Sequence, residues 1–234
     1  MSVNSFSRGA FTPLLFVWRP LVVLAGTVLL MACSSQPPLP PFTASGYIAD
    51  KGVVRIWRKD NSDDHSIHML AVLSPMQKGA TTTSDYRWLG EKLMSIETTI
   101  QSEPSEHIKV RFDENGELSF MQREVNGQKQ QLSNDQIALY QYQASRTKAT
   151  SEALRIGRVV LRQGRWHDNG TVTTCEGETI KPKLDSISLS HIANRQRHSS
   201  MDVSVAWLEA PEGSQLLLVA NQDYCSWQPK PATF

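Results

Sequence analysis

Apolar and polar residues alternate with a period of two along much of the chain, the signature of strands with one buried face. Val53–Arg58 and Ile67–Leu73 flank the polar Asn61-Ser-Asp-Asp64 and read as a hairpin. Residues 85–101 favour strand, with a helix as the alternative. Ile108, Val110 and Phe112 alternate on one side, and Leu118 and Phe120 on the next strand. Facing Phe112 with Leu118 and Val110 with Phe120 leaves Glu114-Asn115-Gly116 as a three-residue loop, which ends with Gly in the left-handed region. At Asn126-Gly127 a two-residue turn pairs Val125 with Gln128 and Met121 with Leu132.

The period then changes. Ser133 and Gln136 form a capping box, with Leu132 and Ile137 at the staple positions around it. Ile137, Tyr140 and Ala144 continue a helical face, which weakens at Thr147–Ser151, where apolar periodicity is lost. Ala153, Leu154, Gly157, Val160 and Leu161 make a second helical face ending near Gly164, with strand as the alternative at Val159–Leu161. Strands return at Thr171–Cys175, Ile187–Leu189, Val203–Leu208 and Leu216–Ala220, the last two joined by a tight turn at Pro211-Glu-Gly213. The expected class is α+β, mostly antiparallel β. A meander unit (47–133) and a second β unit (165–234) are joined by a helix or broken helix pair (134–164).

The start of the chain has a different character. Residues 1–19 carry Arg8 and Arg19 and no acid, and Leu21–Ala32 is uncharged. This is a signal peptide, residues 1–32. Leu30-Met-Ala-Cys33 resembles a bacterial lipobox, in which small Ala32 exposes the bond before Cys33 and the Cys33 thiol takes the diacylglyceryl group. An uncleaved span and simple secretion are the alternatives. Residues 33–46, with Pro37, Pro38, Pro40 and Pro41, read as an extended tether. Ser34 after the cysteine points, by the lipoprotein rule, to the outer membrane. Acyl chains on Cys33 then make the membrane the first expected partner.

Charge adds little: 24 basic against 23 acidic side chains leave no basic excess for nucleic acid. Cys175 and Cys225 remain once Cys33 is lipidated, and in an oxidising compartment they pair as a disulfide.

Candidate chemistry is sparse. Asp63 and His65 lie in a polar hairpin turn and are a weak metal pair; His68 falls on the opposite strand face. Arg155, Arg158 and Arg162 share one helical stripe with Arg165 just beyond, within a locally basic stretch that also holds Arg146 and Lys148. Their forked guanidinium groups suit phosphates and carboxylates; a solvated face paired with acidic strands is the plainer reading. Arg195-Gln-Arg-His198 reads as a loop, and Glu176 and Glu178 as a charged turn around Gly177. The tryptophans at 57, 88, 166, 207 and 227 suit a core, with a sugar-stacking platform as the alternative. Gly-x-Ser-x-Gly and His-Glu-x-x-His are absent, and no cofactor is expected.

The Leu-Met-Ala-Cys-Ser-Ser segment (30–35), the proline leader (37–41), Gly164-Arg-Trp166 and Tyr224-Cys-Ser-Trp227 together resemble the YjaH-like family of uncharacterised envelope lipoproteins. The resemblance implies a location and carries no activity. The expected function is a non-enzymatic outer-membrane lipoprotein facing the periplasm, a binding or assembly accessory for an unknown envelope protein or glycan. The alternative is an envelope hydrolase or carbohydrate-active enzyme whose residues come from distant strands.

Overall fold

The computed structural model describes residues 37–234; the expected signal peptide and lipidation site at Cys33 lie outside them. Residues from Leu39 to Phe234 form one compact unit. Eight strands follow one another as an antiparallel meander: β1 (Phe42–Ala49), β2 (Gly52–Asn61), β3 (Ser66–Pro75), β4 (Thr82–Leu89), β5 (Lys92–Ile100), β6 (Glu106–Phe112), β7 (Leu118–Val125) and β8 (Gln128–Gln130). Helix α1 (Asn134–Ile156) leads to a five-stranded antiparallel sheet of β9 (Val160–Trp166), β10 (Val172–Thr174), β11 (Thr179–Ile180), β12 (Ser204–Ala210) and β13 (Gly213–Ala220), ordered β11-β10-β9-β12-β13. Helix α2 (Ser186–Arg197) comes between β11 and β12. The α+β class with two antiparallel sheets and a helix between them is as expected.

Strand alternation builds the layers. In β2, Ile56 faces a core under α1, made with Met69, Tyr86, Trp88, Ile96, Ile108 and Val110. Val53 and Trp57 face the other way, into a core shared with Leu161, Ala206 and Leu208 of the second sheet. The far side of that sheet buries Val203, Val205 and Trp207 against Ile192 of α2. The order is therefore helix, sheet, sheet, helix. The run Leu216-Leu-Leu-Val219 does not alternate, and a register shift opposite Ala206/Trp207 accommodates it. Leu217 and Leu218 both face the first sheet, while Leu216 and Val219 face α2.

Several local expectations differ from the observed elements. The stretch read as tether ends at Pro41, because Phe42 and Ala44 pack between the sheets and Pro41 accepts a backbone hydrogen bond from Asp60. Val110 pairs with Met121 rather than Phe120: a bulge follows Arg111, so Met121 turns inward and Phe120 stays 42% exposed. The loop itself is as read, with Gly116 at φ +82° and the Asp113 carboxylate accepting from the Asn115 and Glu117 amides. Val125 pairs with Gln128, but β8 ends at Gln130 and Leu132 leaves the ladder for the core under α1.

Helix α1 has the full capping box at Ser133 and Gln136, and both staple residues are buried. It does not weaken at Thr147–Ser151. The packed face simply continues in small polar residues, with Ser151 fully buried and the Thr147 hydroxyl bonded back to the Gln143 carbonyl. The helix stops at Ile156, and Arg158 takes a left-handed conformation at φ +54°. Val160–Trp166 is strand β9, not a second helix, because it pairs on both sides with β10 and β12. Conversely Ile187–Leu189 lies in α2, not in a strand. Ile187 is 79% exposed, and the helix is fixed by its Asp185 cap and buried Ile192. Arg195 and Arg197 therefore sit in its last turn rather than in a loop.

Candidate functional site

Because β3 to β5 run side by side under α1, one end of that interface stays open instead of closing into core. A cavity of about 850 Å³ lies there, within the roughly 300–1,000 Å³ usual for small-molecule sites. Ala71, Ser84, Tyr86 and Thr98 form its buried floor. Val54, Leu73 and Ile100 form its apolar wall, and Tyr140, Gln143 and Thr147 of α1 close one side. At the mouth stand Asp50 and Lys51 from the β1–β2 turn and Met76 and Lys78 from the β3–β4 loop.

The floor hydroxyls serve one another. Ser84 and Thr98 share a hydrogen bond of 3.0 Å, and the Tyr86 phenol interacts with Ser84 and Thr147. Burial raises the Tyr86, Tyr47 and Tyr140 phenols above their ordinary value. All three are therefore neutral near pH 7 and offer hydroxyls rather than charge. Among the described residues Asp50 is the one carboxylate lining the cavity, and it stands exposed at the rim.

The residues singled out from the sequence lie elsewhere. Arg155 ends α1 with its guanidinium 2.6 Å from Asp60 and 3.1 Å from Glu152. Arg58 joins the same network, at 2.6 Å from Asp60 and 2.7 Å from Glu152. This cluster fastens the helix to β2. Arg162 approaches Glu209 at 3.5 Å, and Arg165 lines a separate polar hollow with His167, Asp202 and Asp223 beside the disulfide. The break at Arg158 thus divides the expected arginine stripe: Arg155 lies in the last turn of the helix, and Arg162 and Arg165, three apart on strand β9, alternate to opposite faces. Cys175 and Cys225 are bonded, with Cα atoms 5.2 Å apart.

Asp63 and His65 are exposed in the β2–β3 turn, His65 at φ +57°. No cluster of three or more metal-ligating side chains occurs among the described residues. Trp57, Trp88, Trp166 and Trp207 are all buried, which leaves them no sugar-stacking face. Glu176 lies in the β10–β11 turn and accepts a hydrogen bond from Gln228.

Sequence reasoning missed the cavity because its lining comes from β1 to β5 and α1, with no spacing in common. It also passed over one Ser-x-x-Lys spacing, Ser145 to Lys148 in α1. Ser145 is exposed, and the Lys148 ammonium is held 2.6 Å from Glu91.

A second feature without a motif is Arg55, which is 1% exposed between the two sheets. Its guanidinium donates to Gln163 Oε1 at 3.0 Å and Ser74 Oγ at 3.2 Å, and it lies 4.7 Å from the Tyr224 ring centroid. Burial lowers its pKa to about 10 and raises that of Tyr224 to about 12.

Residues 44–230 match the family model described as a protein of unknown function, DUF1481. The chain belongs to the DUF1481 family. It is 60% identical over 233 residues to the uncharacterized protein YjaH of Escherichia coli K12, covering 99% of this chain and 100% of that protein. No solved structure matches. The DUF1481 match takes in both sheets and both helices, so the cavity lies within the family's common domain.

Proposed function

We propose that this DUF1481 protein is a lipid-anchored outer-membrane lipoprotein facing the periplasm that binds a ligand in the α1 cavity without converting it. The lipobox at Cys33 supports the anchor, and the Cys175–Cys225 disulfide suits an oxidising compartment. The observation that carries the binding role is the cavity lining: apolar walls over a floor where the Ser84 and Thr98 hydroxyls bond each other, with Asp50 at the rim as the one carboxylate among the described residues that line it. Such a surface offers shape and apolar contact rather than a general acid facing a general base.

Two measurements on protein extracted from membranes test this reading. Intact mass should show acyl chains on Cys33, absent from Cys33→Ala. Native mass spectrometry should show a co-purifying small molecule that is lost in Leu73→Trp, whose indole fills the cavity wall. An unacylated full-length mass refutes the anchor. Identical native spectra for wild type and Leu73→Trp refute the binding site.

A further inference from the structure

Resting on the reading of the α1 cavity as a binding site, we infer that its ligand is an anionic amphiphile: one apolar acyl-type chain ending in a carboxylate or phosphate. The floor makes little polar demand, because Ser84 and Thr98 hydrogen-bond each other and the Thr147 hydroxyl donates to the Gln143 carbonyl. What remains for a ligand is the apolar wall above them, Val54, Leu73 and Ile100. Burying methylene groups there is the main source of affinity.

The rim decides the other end of the molecule. Lys51 and Lys78 project from two separate turns at the same mouth, both exposed, and neither has an ion-pair partner among the described residues. Asp50 is the single opposing charge. An ammonium group on a flexible stem acts as a point charge for carboxylate or phosphate. Arg146 adds a third cation nearby, close enough to bear on the Tyr47 phenol. Chain inward and head group at the lysines is the one orientation that satisfies both parts of the lining.

The whole protein, extracted from membranes into mixed micelles, is exposed to diazirine-bearing palmitic acid and, in parallel, to the matching diazirine alcohol. Photo-crosslinked peptides are then mapped by mass spectrometry. The expected result is at least about fivefold more labelling of the segments 71–82 and 140–147 by the acid than by the alcohol. The difference should shrink in high salt, which screens exposed charges, and vanish in Lys51→Glu/Lys78→Glu. Leu73→Trp, checked for an unchanged melting temperature, should lower labelling by both probes. Displacement of the acid by unlabelled palmitate or by lysophosphatidic acid supports the proposal and tells carboxylate from phosphate; displacement by neither overturns it. Equal labelling by acid and alcohol overturns the anionic head group while leaving the binding site standing. Labelling of neither segment by either probe overturns the binding site itself.

Discussion

Arg55 and Gln163 make a prediction whose sign runs against side-chain charge. Gln163 is 1% exposed; it accepts from Arg55 and donates to the Tyr224 carbonyl and to Gln228. Among the described residues the Arg55 guanidinium has no carboxylate partner, and its Nε has no hydrogen-bond partner. The drop of its pKa from 12.5 to about 10 corresponds to about 3 kcal/mol of solvation that the fold does not return. Gln163→Leu removes an acceptor from a buried cation and one of the two donors to the Tyr224 carbonyl, which keeps the Trp227 amide, so it should cost about 3–5 kcal/mol.

Arg55→Met removes the unreturned solvation cost along with the hydrogen bonds and fills similar volume. Its cost should be below about 2 kcal/mol, arising mainly from the unpaired Gln163 Oε1. The double variant should then be less destabilised than the sum of the singles by at least about 1.5 kcal/mol. Urea unfolding at constant pH, with equal m-values across the set, measures all three. A larger loss for Arg55→Met than for Gln163→Leu, or simple additivity, refutes the reasoning.

Other expectations follow from the same packing. Replacing Cys175 and Cys225 by Ser opens a loop with a sequence separation of 50; in the chain-entropy model the loss is about 4 kcal/mol, read as the difference in urea midpoints with and without the disulfide. Ser133→Ala removes the hydroxyl that accepts from the Gln136 amide and should cost about 1 kcal/mol, visible in thermal unfolding. A Cβ at Gly164 would stand 2.2 Å from the Thr173 carbonyl oxygen, so Gly164→Ala should destabilise by more than about 2 kcal/mol in the same assay. The Asp185 carboxylate is held below its ordinary range by the Ser188 amide it caps. Its contribution is therefore present above the unfolded-state pKa and lost as pH falls through the lower folded value. Asp185→Asn should keep the cap and remove that acid dependence, as followed by NMR titration and unfolding between pH 2 and 5.

Local features were decided by the chain alone. The capping box at Ser133, the left-handed Gly116 and the Asn126-Gly127 turn depend on a few adjacent residues, and each stands where the local chemistry puts it. The alternation of β2 and β6 likewise belongs to the chain, since period two forces one face inward. Tertiary structure decided what local pattern leaves degenerate. Val159–Leu161 suits helix or strand; β9 became a strand because β10 and β12 offered partners on both edges. Ile187 and Leu189 alternate like strand residues but lie in a helix, anchored by Ile192 against the second sheet.

The functional reading divides along the same line. Lipidation at Cys33 is proposed from contiguous residues, because the processing machinery reads a short linear segment. The cavity needs Tyr47, Leu73, Thr98 and Tyr140 brought together across three strands and a helix. No local spacing encodes that assembly: it arises from strand register and from the volume α1 leaves unfilled, and both are properties of the packed whole.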